Sequence, residues 1–397
     1  MSIITPSALT KSVQTMYETA YREAQDIARA YDQFANVTKQ QKDDKGSSVT
    51  VTYHSDMEPK NSAGSRTADF TPQDIYEANV QVNTDFYKDG VKLHETAFEE
   101  SFALGMKQLG DLTGRNKSEV VDSLARKVAT QGNWVIYPGT HTTRVTLDLG
   151  VAGDHLAESS FLKVSQFTQA WAGNRFPDKS IMCLTDVFAA GDLLTASGGI
   201  LTARAAYTEQ GLKYLQNDEV GMLHNIRVLT SPVAKVFYGA GVANASAVST
   251  TISAAGKPLD KTMTVTANTN IAVGMWLTVG TVESSTTEYL STEIVYVTAV
   301  SGTTVTFIGG GANGGFRFAH DALAAVANGD SVHTAIFGGP NSLAKVYGSY
   351  GEYGEIVGPK VDGSADDFVT SSWKFWGGYG RLNEAWLIRS ECSASNM

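Results

Sequence analysis

The chain has little of what most functional classes require. It has only two cysteines, Cys183 and Cys392, in 397 residues. They are too far apart for metal-type spacing and too few for a disulfide framework, so a reducing cytosol at synthesis is the natural reading. Proline is scarce, at 9 residues against 38 glycines, a balance that suits turn-rich β structure with many tight loops. No run of about 18 apolar residues occurs, so no membrane-spanning helix is expected. The opening MSIITPSALT lacks the basic and apolar regions of a signal peptide. A basic excess is also missing. The formal net charge is −10, which argues against a surface built to grip nucleic-acid phosphates or an anionic membrane.

Chemistry-bearing motifs are sparse too. The seven histidines are scattered, with no HExxH pattern and no paired cysteines, so no zinc site is expected. No GxSxG elbow, Walker loop or dinucleotide fingerprint appears. Gly309 to Gly315 (GGGANGG) lacks the Lys-Ser/Thr ending of a phosphate loop and reads as a flexible turn. The pairs Asp43-Asp44, Glu99-Glu100 and Asp366-Asp367 read as solvated faces or cation-binding turns. Asp148, Asp154 and Glu158 could offer oxygen ligands to a divalent ion, the weaker of two readings. No catalytic, cofactor-binding or metal residue is assigned, and the chain is read as not an enzyme.

What is present is a core and a distinctive order of parts. The length allows about two to three domains, and hydrophobic residues at 42% with aromatics at 10% are enough to bury a core. Residues 11 to 34 place Val13, Met16, Tyr17, Ala20, Tyr21, Ala24, Ile27, Ala28, Tyr31 and Phe34 on one helical stripe. A polar stretch, KQQKDDKGSS, follows, so this helix is expected to dock as an arm. Two alternating runs, Ser48 to Tyr53 and Ala78 to Tyr87, predict a long two-stranded excursion with a loose tip. Such a ribbon is marginal alone and needs a surface. Helices are expected at Thr96 to Leu112 and, from a capping box at Asn116 and Glu119, at Asn116 to Gln131, stopped by Gly132. Strands are expected at Trp134 to Tyr137 and Arg144 to Leu149.

From Ser160 the pattern turns α/β. Helices are expected around Phe161 to Trp171, from an Asp186 cap through Leu194, and from about Leu201 to Tyr214. Strands are expected at Ile181 to Leu184 and, after a turn at Gly221, at Asn225 to Thr230. Residues 240 to 332 shift to Thr, Val, Ala, Gly and Ser in alternating runs, a separate β insert that a small barrel or sandwich would satisfy. Phe368 to Phe375 and Glu384 to Arg389 read as strands of a hairpin joined by WGGYGR, anchored by Trp373, Trp376 and Trp386.

This order of parts resembles the Hong-Kong-97-type fold of tailed-phage major capsid proteins, and more narrowly the N-four-like major capsid family. The residues that carry the likeness are LQNDEVGMLHNIRVLTSP at 215 to 232 and WKFWGGYGRLNEAWLIR at 373 to 389. The resemblance implies an α+β capsid fold. Its layout is an N-terminal arm (1–45), an extended loop (46–94) and a peripheral domain (95–149 and 366–397) with a spine helix at 116–131. An axial domain (150–239 and 333–365) and the inserted β domain (240–332) complete it. It implies hexamers and pentamers of an icosahedral head around double-stranded DNA that is enclosed but not tightly bound. Partners would be further copies of the chain, a portal protein, and separate scaffold, protease and decoration proteins, with no membrane. The chain would reside in the virion after assembly in the bacterial cytoplasm. Inter-subunit contacts are expected from Met16, Tyr17, Tyr21, Phe34, Tyr53, Phe70, Tyr76 and Phe86. Other readings are an encapsulin-like shell, a tail or adhesion component with a glycan-binding insert, and a hydrolase using a carboxylate pair.

Overall fold

The computed structural model describes residues 30–40, 47–61, 72–94, 106–171, 175–196, 219–231, 233–242, 248–280, 291–351, 354–362 and 368–395. They divide between two compact units, one drawn from 1–128 and 341–382, the other from 129–340 and 383–397. The helix expected at 201–214 lies outside the described residues, as do residues 11–29 of the helix expected at 11–34 and 96–105 of that expected at 96–112.

The first unit is built on one long strand, Phe368–Arg381. On one side it pairs with Asp85–His94 over ten residues. On the other it pairs first with Glu355–Asp362 and then with Leu343–Tyr347. Ala35–Gln40 adds a parallel edge strand to Leu343–Tyr347. The residues after Phe34 are therefore a strand, where the sequence reads as a polar linker from Lys39. The expected terminal hairpin does not form. Trp376–Arg381 continues the strand, and Leu387–Cys392 belongs to a sheet of the other unit.

Helix α1 (Met106–Thr130) is a single 25-residue helix. The break expected between Leu112 and Asn116 is absent, and Asn116 is not a cap. Packing overrides the local signal: Thr113 is buried with its Oγ1 3.2 Å from Ser371 Oγ, and Trp373 Nε1 donates to Asn116 Oδ1 at 2.8 Å. Trp373 and Phe375 supply the largest buried rings of the long strand.

The second unit holds a seven-stranded mixed sheet. Its order is Val135–Ile136, Leu387–Cys392, Val332–Gly338, Ile181–Thr185, Ile226–Thr230 and Glu219–Leu223, with Val236–Phe237 also on Val332–Gly338. Ile181–Thr185 and Ile226–Thr230 run parallel. Both Val332–Gly338 and Leu387–Cys392 are buried at every position, as the middle of a covered sheet requires. Helices α2 (Glu158–Ala170) and α3 (Val187–Thr195) cover it through Phe161, Val164, Ala189 and Leu193. The Phe161 and Phe337 rings meet edge-on at 5.0 Å. Asp186 caps α3 as expected, accepting from Phe188 N at 3.1 Å.

Two local expectations are corrected here. The turn lies at His224–Asn225, both at positive φ, and Gly221 sits inside a strand. Such a pair suits a two-residue hairpin turn. Arg144–Thr146 is a turn of 3-10 helix rather than a strand. It delivers the Arg144 guanidinium to the buried Glu391 carboxylate at 2.9 and 2.5 Å, over the Phe237 ring.

The insert is a six-stranded sheet ordered Ser249–Thr251, Ala325–Ala327, Trp276–Val279, Glu293–Ser301, Thr304–Ile308, Thr262–Thr264. A bridge between Ile252 and Val265 joins its first and last strands, closing a small barrel. Thirteen buried side chains, Phe307 and Phe316 among them, fill it. The chain enters and leaves at one place, where Gly241 N donates to Asp330 O at 2.8 Å and Asp330 N to Val242 O at 3.0 Å. Adjacent ends are what lets a folded module sit inside another domain. Within the turn Gly309 to Gly315 the backbone packs closely at Gly315, where a Cβ would come within 2.4 Å of Leu259 O.

Candidate assembly surface

The ribbon Ser48–His54 and Glu77–Asn83 pairs in full antiparallel register, from Ser48 opposite Asn83 to His54 opposite Glu77. Alternation puts Val49, Val51 and Tyr53 on one face, opposite Val82, Val80 and Ala78. Burial along that face falls from root to tip. Val49 and Val82 are buried, Val51, Val80 and Tyr53 half-buried, Ala78 exposed.

Glycines make the root possible. Val49 and Val82 pack with Ala344 and Val346, and the ribbon crosses the long strand at its glycines. A Cβ on Gly378 would lie 2.0 Å from Asn83 O, and one on Gly380 2.6 Å from Val82 Cγ2. The WGGYGR segment is thus a smooth saddle rather than a hairpin loop.

Beyond His54 the two chains stay in contact without a regular ladder. Ser55 N donates to Tyr76 O at 2.8 Å, and Tyr76 N to Ser55 Oγ at 3.0 Å. Gln73 clamps Glu58 through both its amide atoms, at 2.8 and 2.9 Å. Apolar side chains point outward here: Met57, Ile75 and Tyr76 are 63%, 58% and 71% exposed. Phe86, at the base of the next strand, is also exposed and lies 6.2 Å from the Tyr350 ring. Exposed apolar groups beyond the paired part of the ribbon are the candidate contact residues of this surface.

Of the residues expected at contacts, Tyr76 and Phe86 are exposed and Tyr53 is half-buried. Phe34 is fully buried within its own chain, 6.5 Å from the Tyr31 ring; its place on the stripe gave no sign that the segment folds back as a 3-10 turn. Met16, Tyr17, Tyr21 and Phe70 lie outside the described residues. The exposed Met57 and Ile75 give no sign in the sequence, because isolated apolar residues in a polar stretch carry no periodicity. A second outward group gives no sign of itself in the sequence: the Trp171 ring lies tilted at 4.5 Å from that of Trp134, and the Phe167 ring meets it edge-on at 5.3 Å. In the sequence Trp171 and Phe167 both read only as helix markers.

The carboxylates considered as cation ligands do not converge. Asp154 accepts from His141 Nε2 at 2.8 Å and from Asp148 N at 2.9 Å, while Glu158 pairs with His224. Thr146, His141 and Asp154 are hydrogen-bonded in series, but the Thr146 hydroxyl donates to Thr143 O at 2.8 Å, which makes it a turn lock. Among the described residues, no three His, Cys, Asp or Glu side chains form a metal cluster, and no helix is long and apolar enough to cross a membrane.

The fold compares closely with phage capsids. The capsid of Ralstonia phage GP4 superposes with a TM-score of 0.58 at 11% identity, over 92% of this chain and 91% of that one. The capsid of cyanophage P-SCSP1u gives 0.53 at 10%, over 93% and 89%. The chain has the Hong-Kong-97-type capsid fold. Cyanophage Pam1 adds a third capsid likeness, with a TM-score of 0.52 at 10% identity over 93% of both chains. No protein-family model matches the sequence, and no curated protein matches it. At such identities the likeness resides in the fold.

Proposed function

We propose that this chain is the major capsid protein of a tailed phage, forming hexamers and pentamers of an icosahedral head around double-stranded DNA. One observation carries the reading: in a chain with the capsid fold, a ribbon is clamped at its root by glycines while Met57, Ile75 and Tyr76 face outward at its far end. A lone monomer gains nothing from that arrangement. A shell subunit gains a clasp, and interfaces of this obligate kind bury roughly 2,000–5,000 Å² or more.

On this reading residues 46–94 overlie a neighbour and residues 1–45 form an arm whose root, from Tyr31 onward, is part of its own subunit. The barrel at 240–332 faces solvent, where insertions are tolerated. The net charge of −10 suits a wall that encloses DNA without gripping it. A portal protein, and separate scaffold, protease and decoration proteins, are the partners such a head would use. The protein would act in the virion, after assembly in the host cytoplasm. The N-four-like grouping rests on the two sequence segments quoted above.

Replacing Met57, Ile75 and Tyr76 together with serine tests the clasp. The protomer should keep its circular dichroism spectrum while shell yield drops at least roughly tenfold, as loss of a hot spot implies. Normal shells from the triple variant would remove the ribbon from the account.

A further inference from the structure

The turn Tyr31–Phe34 is a 3-10 helix whose N-cap position is Ala30, a residue with no side-chain acceptor. The acceptor is supplied from α1 instead. Asp122 Oδ1 takes the Tyr31 N–H at 2.9 Å, across 91 positions of sequence. Tyr31 and Phe34 are fully buried, and Asp122 lies beneath the turn at 1% exposure. Its other oxygen, Oδ2, is buried without a hydrogen-bond partner.

Two charges face this carboxyl. Arg126 faces it from its own helix and Asp32 from the turn. Asp32 is in turn held by Lys345 Nζ at 2.6 Å and by the Tyr379 hydroxyl at 2.9 Å, from two strands of the sheet. The lysine thus pairs with Asp32, and Asp122 is left with one arginine, one like charge and an unsolvated oxygen. A buried carboxylate in that position carries a large desolvation cost that a proton removes.

We propose that Asp122 is a proton-operated latch, holding the turn Tyr31–Phe34 on α1 when protonated and loosening it when ionised. Burial is the largest influence on this carboxyl and Asp32 adds to it, while the Tyr31 and Asp32 amides and Arg126 oppose it. The outcome is a group pushed up to about 7 from its ordinary 3.8. The sign follows from linkage. The docked turn keeps the proton up to about pH 7, whereas a carboxyl released to solvent loses it near its ordinary 3.8. Docking is therefore strongest below about pH 4 and loses that contribution as pH rises through about 7. The latch is set by packing within one chain and does not rest on the shell reading.

Hydrogen exchange of the full chain, corrected for intrinsic rates, tests it between pH 5 and 8.5. In the wild type, protection of the Tyr31 and Asp32 amides should fall by tenfold or more as the pH rises from 5 to 7. Asp122→Asn keeps an acceptor for Tyr31 N but cannot ionise, so its protection should stay flat. Wild-type protection that does not change with pH, or an Asn variant with the same slope, would overturn the proposal. If the Asn variant does not fold, infrared titration of the wild type decides. One carboxyl should take up its proton near pH 7, and a spectrum in which every carboxyl titrates below pH 5 would overturn the latch.

Discussion

Gly378 lies so close to Asn83 that a Cβ on it would sit 2.0 Å from the Asn83 carbonyl oxygen. The root of the ribbon therefore depends on the absence of a side chain on the long strand, as much as on the valines that pack there. Gly378→Ala should force the ribbon root away and cost about 1–3 kcal/mol, the usual price of overpacking. Gly310→Ala, where a Cβ meets nothing within 4 Å, should stay within about 0.5 kcal/mol of the wild type. Denaturant unfolding of the two variants checks the contrast.

The barrel should lose stability separately from the rest. Phe316 is fully buried and its ring lies 4.3 Å from that of Phe307. Phe316→Ala should cost the barrel about 3–5 kcal/mol. Hydrogen exchange should show this loss over 248–327 while the amides of the Phe368–Arg381 strand keep their protection. Equal loss in both would mean that the insert is not a module.

Glu391 is fully buried and bonded to the Arg144 guanidinium, with Arg389 Nε 2.8 Å away. Glu391→Ala leaves two arginines without their anion and should cost about 3–5 kcal/mol. Arg144→Ala on the same background should cost less than it does alone, because the pair is coupled. A double-mutant cycle by chemical denaturation measures this.

Stability should respond to pH through Asp122. Its raised value in the folded chain means the wild type loses stability as pH climbs from about 4 to about 7. Asp122→Asn removes that loss, so it should exceed the wild type by about 1–3 kcal/mol at pH 8 and show no such advantage near pH 4. Unfolding curves at the two pH values give the comparison.

The pattern of single segments was more legible in the sequence than their partners. Period-two alternation placed the ribbon strand Ser48–His54 and the barrel strands Glu293–Ser301 and Thr304–Ile308 close to where they lie, but the run Ala78 to Tyr87 breaks at Thr84, where Glu77–Asn83 ends and Asp85–His94 begins on the long strand. Local rules went astray where tertiary packing decided. Asn116 looks like a helix cap, yet it serves the Trp373 indole inside α1. WGGYGR looks like a hairpin loop, yet its glycines are spent on the approach of Asn83 and Val82. Phe34 belongs to an apolar stripe that reads as an arm for a neighbour, yet it is buried at home because Asp122 caps the turn. Each of these contacts joins residues 91 to 298 positions apart, beyond the reach of any window along the chain.

Electron microscopy of the purified protein, expressed alone and with a candidate scaffold, tests the central claim most directly. The account predicts closed shells, or rings of six and five subunits, in at least one preparation. Persistent monomers, fibres or tubes in both would contradict it.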